Sequence, residues 1–177
     1  INRIGQEIVA CGGDTANWAI PDLVALCEVE NDTVLRDLTK RSLLRNARYE
    51  YLMTDSPDER GIDVALLYSP FSFLPINHHS IRINTIKDMR PTRDILYVSG
   101  QIITGDTLHV FVVHAPSRAG GESASLSHRM VVSDKLCEAV DSIRRVSANS
   151  RIIIAGDFND YANDKSLLHI YKHDIVN

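Results

Sequence analysis

Short aliphatic runs constrain the fold of this chain more than any other feature of its sequence. They lie at residues 23–27, 62–68, 95–103, 108–114 and 152–155. Short apolar runs bounded by turn-forming residues are typical of buried β-strands. None of them approaches the ~18 apolar residues that a membrane-spanning helix needs. The sequence therefore predicts no membrane span, and a sheet covered on at least one face.

Segments with helical spacing of apolar residues separate these predicted strands. Helices are predicted at residues 1–11, 31–46 and 126–146, with a short one near 166–171, and Asn31-Asp32 offers an N-cap for the second. Residues 71–93 show only weak alternation, near 80–84, and are left unassigned. Alternating strands and helices predict an α/β layered domain, and 177 residues without a linker-like stretch predict a single domain, 1–177.

Charge and cysteine content exclude several classes of protein. The chain carries 19 Lys and Arg against 23 Asp and Glu, a net charge of −4, whereas proteins that bind nucleic acid over a broad surface are usually basic. A nucleic acid or phosphate ligand would therefore be held at a local site, with a metal. Cys11, Cys27 and Cys137 are far apart and odd in number, so we predict small core residues and no disulfide framework or zinc site.

Three predicted strands end in polar residues that can do chemistry. Glu28 follows the first aliphatic run, His114 ends the fourth, and Asp157 follows the fifth with Asn159 two positions on. In α/β folds, functional sites gather where strands give way to loops. We therefore expect these four side chains to converge within roughly 10 Å of one another at one edge of the sheets.

These residue types together predict metal-assisted hydrolysis of a phosphate ester. Glu28, Asp157 and Asn159 offer the hard oxygen ligands that Mg²⁺, Mn²⁺ and Ca²⁺ prefer. Such an ion neutralises a phosphate oxygen and lowers the pKa of water. His114 exchanges a proton near neutral pH, and the Asn159 amide can donate to a phosphoryl oxygen. Singly, each residue has an ordinary structural explanation, but their joint occurrence favours catalysis.

Three blocks of the sequence resemble the signature blocks of the endonuclease/exonuclease/phosphatase superfamily, which has the deoxyribonuclease-I-like fold. They are PDLVALCEVE at 21–30, HAPS at 114–117 and GDFN at 156–159, in the order of the family. The stretches HAPSRAGG and RGIDVALLY are similar to a bacterial branch of it. The resemblance implies a four-layer αββα sandwich of two packed mixed β-sheets flanked by helices. It also implies hydrolysis of phosphodiesters or phosphomonoesters with Mg²⁺ or Mn²⁺.

The resemblance also implies roles for single residues. Glu28 matches the metal-binding glutamate, and Asp157 matches the aspartate that orients or activates the attacking water beside the metal. Asn159 matches the asparagine that binds the phosphate. His114 matches the histidine that lies against the scissile phosphate in the nuclease branch.

Further residues match the substrate side of the family site less closely. Asp63 and Arg118 stand where members often place substrate-binding residues. The alternatives are a buried hydrogen-bond acceptor for Asp63 and a solvated loop residue for Arg118. Arg93 precedes a strand, as an arginine does in some members, although a structural role is favoured there. Arg90, Arg93 and Arg118 together would form a small phosphate-binding group.

Two segments of the family pattern are not found in this sequence. They are a first strand with an asparagine near the metal and a last strand with an Asp-His pair. His169 and His173 follow the GDFN block too closely to replace that pair, and Cys27 stands where the family usually has glutamine. We therefore expect the 177-residue chain to be nearly inactive, to bind Mg²⁺ weakly and to associate through uncovered sheet edges. A longer protein with both segments is expected to be active.

Three hypotheses for the function follow. The first is a nuclease or related phosphodiesterase, and the second is a phosphatase of the same fold that acts on lipid or sugar phosphates. The third is a catalytically incompetent binding domain. The missing basic stripe weighs against long duplex DNA, and the four residues at the strand ends weigh against the third hypothesis for a longer protein. The substrate, endo or exo cleavage, compartment and oligomeric state stay open.

Overall fold

Residues 1–13 and 18–173 are described by the structure, a computed structural model, and they form four α-helices and seven strands. The helices are α1 (Asn2–Ala10), α2 (Asp32–Arg36), α3 (Glu122–Val146) and α4 (Lys165–Lys172). The strands are β1 (Leu23–Val29), β2 (Glu50–Met53), β3 (Asp63–Tyr68), β4 (Phe73–Ile81), β5 (Ile95–Ile102), β6 (Thr107–His114) and β7 (Arg151–Asp157).

The strands form two sheets with the orders β1-β3-β2 and β4-β5-β6-β7. All neighbouring pairs are antiparallel except β6 and β7, which are parallel. A parallel pair needs a crossover connection, and the long helix α3 supplies it. The carboxyl ends of β6 and β7 therefore lie at the same edge of their sheet.

Three hydrophobic clusters lie between four layers. On β3, Val64 and Leu66 pack against the other sheet, whereas Ala65 and Leu67 pack with α1 and α2. Strand β6 alternates in the same way, with Val110 facing the other sheet and Phe111 facing α3. Because side chains alternate along a strand, each sheet is covered on both faces. This confirms the predicted αββα sandwich.

The predicted helix at 31–46 is interrupted. Asn31 caps its first turn as expected, because the Asn31 side chain accepts a hydrogen bond from the Val34 backbone N–H at 3.1 Å. However, α2 ends at Arg36, a wide π-helical turn follows, and the backbone becomes extended at Ser42 before a 3₁₀ turn at Leu43–Ala47. The Ser42 hydroxyl accepts from the Leu44 N–H at 3.1 Å. Such local side-chain bonds compete with the regular helix ladder, which explains the break.

Strand β4 lies in the region that the sequence analysis left unassigned. It contains Pro75 and has a bulge between Pro75 and Asn77. Proline cannot donate to a ladder, but β4 is an edge strand, where that donor is not needed. The proline and the polar residues after it hid the period-2 pattern that would have predicted this strand.

Smaller differences concern α3 and the cysteines. Helix α3 begins at Glu122, four residues before the predicted start at Leu126. Cys137 is buried as predicted and Cys27 is partly buried, but Cys11 is exposed, so the prediction of a core residue is wrong there. Among the described helices, none is long and apolar enough to cross a membrane.

Candidate active site

The carboxyl ends of β6 and β7 form the centre of the candidate site. The parallel register pairs His114 with Asp157, and the Ala115 N–H donates to the Asp157 backbone oxygen at 2.8 Å. Two residues predicted from separate sequence blocks therefore lie on adjacent strands at the same edge.

Gly156 allows this close approach. Its φ is 139°, and a Cβ atom there would lie 1.9 Å from the backbone oxygen of Val113. Any larger residue would push β7 away from β6 and shift Asp157. The glycine of the GDFN block thus has a structural reason that the sequence alone did not give.

Asn159 turns back toward the same strand ends. Its backbone is left-handed, with φ at 52°, and its N–H donates to Asp157 Oδ1 at 2.8 Å. Its side-chain Nδ2 donates to the Ala115 backbone oxygen at 2.9 Å. An asparagine amide has two N–H donors, so one stays available to a ligand.

Glu28 reaches this edge from the other sheet. The register of β1 on β3 shifts between Leu26 and Val29, and Glu28 has a left-handed φ of 59°. Bulges commonly re-aim a side chain next to an active site. Among the described residues, four non-glycine residues have positive φ, and two of them are Glu28 and Asn159. Such strained residues cluster at functional sites.

The side chain of Glu28 is 64% exposed, and its charge acts on His114 together with that of Asp157. His114 itself is 5% exposed, and its Nδ1 has no hydrogen-bond partner among the described residues. Burial lowers the pKa of His114, and the Arg93 guanidinium lowers it further, while the two carboxylates act in the opposite direction. The net effect places the pKa of His114 below the usual ~6.5, which favours the neutral imidazole. The structure therefore brings Glu28, His114, Asp157 and Asn159 together.

A chain of ion pairs borders these residues. Arg93 is buried and donates to Asp58 at 2.9 Å and to the Ala115 backbone oxygen at 2.7 Å. Arg60 lies 3.6 Å from Asp58 and 3.7 Å from Glu28. Burial would raise the pKa of Asp58, but the two arginines hold it below its usual value. Sequence reasoning missed Asp58 and Arg60, because a contact across 35 residues leaves no local pattern.

A cavity of about 530 Å³ lies beside this ion-pair chain. Three loops line it, with residues from 58–60, 88–93 and 116–119, and His128 of α3 completes the wall. A second groove, of about 560 Å³, lies between β4, β5, β6 and α3 and contains Tyr97 and His109. The predicted site residues at the strand ends line neither cavity, but two wall residues of the first one adjoin them: Arg60 pairs with Glu28, and Arg93 donates to the backbone oxygen that Asn159 also contacts.

Asp63 is a buried hydrogen-bond acceptor, which is the structural alternative given for it in the sequence analysis. Its Oδ1 accepts from Thr54 Oγ1 at 2.7 Å and from the Ser56 N–H at 2.9 Å. These contacts hold the loop between β2 and β3, which carries Asp58 and Arg60. The geometry favours a supporting role, and the predicted substrate contact of Asp63 stays a prediction.

Arg118 belongs to a set of ion pairs that we call the arginine clamp, formed by Arg118, Arg129, Asp160 and Asp164. Arg118 Nε donates to the Asn159 backbone oxygen at 3.0 Å, and its Nη2 contacts Asp164 and, at 3.1 Å, Asp160. Arg129 is 1% exposed and lies 2.7 Å from Asp160. The Arg118 guanidinium is thus bound by protein groups. The alternative of a solvated loop residue did not include these contacts.

The three arginines expected to bind a phosphate together are not grouped. Arg118 lies in the clamp, and Arg93 is paired with Asp58. Arg90 has an 86% exposed side chain with Glu59 at 3.6 Å. Of the three, Arg90 and Arg93 line the same cavity, and the observed contacts do not support a joint phosphate-binding group of all three.

The two late histidines also lie elsewhere. His169 Nε2 is 2.8 Å from Asp134 Oδ1, and His173 Nε2 is 3.5 Å from Asp141 Oδ2, both on α3. They connect α4 to α3 and do not join the candidate site.

The donor set suits a hard ion such as Mg²⁺ or Mn²⁺ better than a softer ion such as Zn²⁺ or Cu²⁺. Within the described residues, no group of three or more His, Cys, Asp or Glu side chains is placed to hold a metal. Mg²⁺ is usually held by one or two carboxylates with waters and substrate phosphate. The exposed Glu28 and the nearby Asp157 fit that pattern, and the exposed ion pair of Glu28 with Arg60 costs little to break.

Comparison with solved structures shows the same fold in known enzymes. A mannosyl-6-phosphatase from Bacteroides thetaiotaomicron has a TM-score of 0.72 at 17% identity, over 97% of this chain and 60% of that one. The human Nocturnin catalytic domain with bound sulfate has 0.66 at 20%, over 84% and 55%. D. rerio TDP2 complexed with a single-strand DNA product has 0.59 at 19%, over 85% and 52%. The chain thus spans just over half of the length of these neighbours.

A search of curated proteins found no match. The sequence itself matches the profile of the endonuclease/exonuclease/phosphatase family over residues 1–174. That match covers almost the whole chain and agrees with the sandwich described above. This protein belongs to the endonuclease/exonuclease/phosphatase family, whose named activities all cleave phosphate ester bonds.

Proposed function

We propose that this protein hydrolyses phosphate esters with the help of Mg²⁺ or Mn²⁺. The observation that carries the proposal is the convergence of Glu28, His114, Asp157 and Asn159 at one edge of the two sheets. Four side chains from three strand ends supply carboxylate, neutral imidazole and amide groups in one place. Family membership supports hydrolysis of a phosphate ester as the reaction class.

Each side chain has a role that its contacts support. Glu28 and Asp157 would hold the ion, which when bound neutralises a phosphate oxygen and lowers the pKa of water. Asp157 Oδ1 is oriented by the Asn159 N–H, so its other oxygen is left to accept a proton. Asn159 keeps one amide N–H for a phosphoryl oxygen, and His114 in its neutral form can donate one N–H.

Arg118 and Asp63 are proposed to act through other residues. Arg118 holds the backbone of Asn159, and Asp63 holds the loop that carries Arg60. Both were predicted on the substrate side, but their observed contacts are with the protein.

Two substrate classes remain candidates. A nuclease or phosphodiesterase activity was the first hypothesis, and the fold likeness to TDP2 with a DNA product is in line with it. A sugar phosphatase is the second, and the fold likeness to a mannosyl-6-phosphatase is in line with that. The cavity beside the site favours a small substrate, because its volume of about 530 Å³ is typical of small-molecule sites.

A matched pair of glutamates tests the reaction. Glu28→Gln removes the carboxylate at the site, whereas Glu30→Gln removes another exposed carboxylate two residues on. We expect Glu28→Gln to slow the Mn²⁺-dependent hydrolysis of 4-nitrophenyl phosphate and bis(4-nitrophenyl) phosphate about 10²-fold or more, with Glu30→Gln unchanged. EDTA should abolish the wild-type rate.

Protein and ester are mixed at comparable concentrations so that even a single turnover is visible. Equal rates for wild type and Glu28→Gln, or a rate that EDTA does not change, would contradict the proposed function.

A further inference from the structure

We call the strand ends that carry Glu28, His114, Asp157 and Asn159 the catalytic edge. The cavity beside it is lined by residues with buried polar groups that have no partner in the described part of the chain. Thr92 and Arg93 both line it, and they are 4% and 6% exposed. Thr92 Oγ1 and Arg93 Nε have no hydrogen-bond partner among the described residues. Buried donors are rarely left unpaired, since each costs free energy that a ligand oxygen would recover. Two residues that carry such groups line one cavity, and this is in keeping with a ligand that carries oxygen atoms.

The charges around the cavity are balanced. Its lining carries three arginines and three carboxylates, namely Arg60, Arg90, Arg93, Asp58, Glu59 and Asp88. Equal numbers of opposite charges do not attract a polyanion in the way that a basic groove does. They do offer hydrogen-bond donors and acceptors side by side, which suits hydroxyl groups, because each hydroxyl both donates and accepts.

Apolar atoms complete the wall. Met89, Pro91, Pro116 and Ala119 also line the cavity. The C–H faces of a saturated ring pack on such surfaces, while its hydroxyls reach the charged groups. A volume of about 530 Å³ is large enough for one sugar ring with its substituents.

The cavity is joined to the catalytic edge through one carbonyl group. The backbone oxygen of Ala115 accepts from Arg93 in the cavity wall at 2.7 Å and from Asn159 at the catalytic edge at 2.9 Å. A phosphate at the strand ends would therefore lie near the wall of the cavity, which has room for the group esterified to it.

We propose that this cavity binds the alcohol part of the substrate and that this alcohol is an uncharged polyhydroxylated group, a sugar or another polyol. The proposal rests on the proposed phosphate-ester hydrolysis and adds the substrate class. A nucleic acid strand is the competing ligand, and the test treats it as a separate outcome.

Equilibrium binding tests the proposal without requiring turnover. The nitrogen-15-labelled chain is titrated in Mg²⁺ with glucose 6-phosphate, with cyclohexylmethyl phosphate, and with a thymidine dinucleotide, and binding is followed by NMR. Cyclohexylmethyl phosphate matches the ring size and lacks the hydroxyls. We expect glucose 6-phosphate to bind about 10-fold more tightly than either of the others, which corresponds to roughly one or two hydrogen bonds. Equal affinities, or tightest binding of the dinucleotide, would overturn the proposal.

Two variants assign the preference to the cavity. Thr92→Val removes the unpaired hydroxyl, and Arg90→Ala removes a side chain that is 86% exposed and cannot disturb the core. Each should weaken glucose 6-phosphate binding about 3- to 10-fold and leave cyclohexylmethyl phosphate binding unchanged. Arg45→Ala, an exposed arginine outside the cavity, is the control for the lost charge. If both Thr92→Val and Arg90→Ala bind the hexose phosphate like wild type, the proposal is wrong.

The proposed hydrolysis and the proposed polyol-binding cavity can be contradicted separately. Metal-dependent hydrolysis of 4-nitrophenyl phosphate with no preference for the hexose would leave the proposed function intact and overturn the polyol cavity. A preference for the hexose with no hydrolysis by wild type would overturn the proposed function and, with it, the assignment of the cavity to the alcohol of an ester.

Discussion

The catalytic edge and the arginine clamp adjoin at Asn159, and they use carboxylates in opposite ways. At the edge, Glu28 is 64% exposed and its nearest arginine nitrogen is 3.7 Å away. In the clamp, the Asp160 side chain is fully buried, with Arg129 at 2.7 Å and Arg118 at 3.1 Å. Only three positions of sequence separate Asp157 of the edge from Asp160 of the clamp.

The two regions differ in whether the carboxylate is free to bind an outside ligand. Burial would raise the pKa of Asp160, but Ser166, Arg129 and Arg118 together hold it below its usual value. A fully buried carboxylate that pairs with two guanidinium groups is out of reach of an outside ligand. A carboxylate in water with one weak ion pair can exchange that partner for a metal ion at small cost. We infer that the clamp stabilises the fold and the edge binds the ligand.

The largest expected difference between the catalytic edge and the arginine clamp is in their contribution to stability. Asp160→Ala leaves Arg129 buried and unpaired, so we expect the free energy of unfolding to fall by about 3–5 kcal/mol. Asp157→Ala, three residues earlier and exposed, should cost about 1 kcal/mol, the value of its bond with the Asn159 N–H. Urea denaturation measures both. Similar losses for the two variants would remove the distinction between the regions.

A smaller effect is expected in the titration of His114 by NMR. Its midpoint should lie below the ~6.5 of a free imidazole, because burial and Arg93 disfavour the charged ring. Asp157→Asn should lower the midpoint further, since the aspartate charge acts to raise it. His109, whose pKa is lowered by burial alone, should not respond to that variant.

The lowered pKa of His114 also makes the stability of the protein depend on pH in a defined direction. Between the lowered pKa of the folded chain and ~6.5, the unfolded chain binds more protons, so this group makes stability rise with pH through that window. A His114 midpoint above 6.5, or a fall in stability across that window attributable to His114, would contradict the electrostatics of the catalytic edge.

The edge was predictable from the sequence because its signals are local. Glu28, His114 and Asp157 each lie at the end of a run of apolar residues, and the carboxyl ends of the parallel strands β6 and β7, which carry His114 and Asp157, meet at one edge. Asn159 lies two residues beyond Asp157, so its approach follows from that of its neighbour. The blocks that place these residues are also the blocks on which the family resemblance depended.

The clamp and the cavity wall were not predictable in this way. Arg129 and Asp160 meet only after α3 has crossed back to β7, and Asp58 meets Arg93 across two intervening strands. Strand β4 was missed because Pro75 stands in it. Long-range ion pairs and tolerated edge-strand prolines leave no period in the sequence, so they need the fold to be seen.

We expect the catalytic edge, and not the arginine clamp, to hold a divalent ion. Glu28 and Glu122 make a matched pair, since their side chains are 64% and 63% exposed and each lies near an arginine, at 3.7 and 3.4 Å. Mn²⁺ binding to wild type, Glu28→Gln and Glu122→Gln is measured by electron paramagnetic resonance of the free ion. We predict that Glu28→Gln weakens binding about 10-fold or more, roughly 1.4 kcal/mol, and that Glu122→Gln binds like wild type. Equal binding by all three proteins, or a loss confined to Glu122→Gln, would contradict the account.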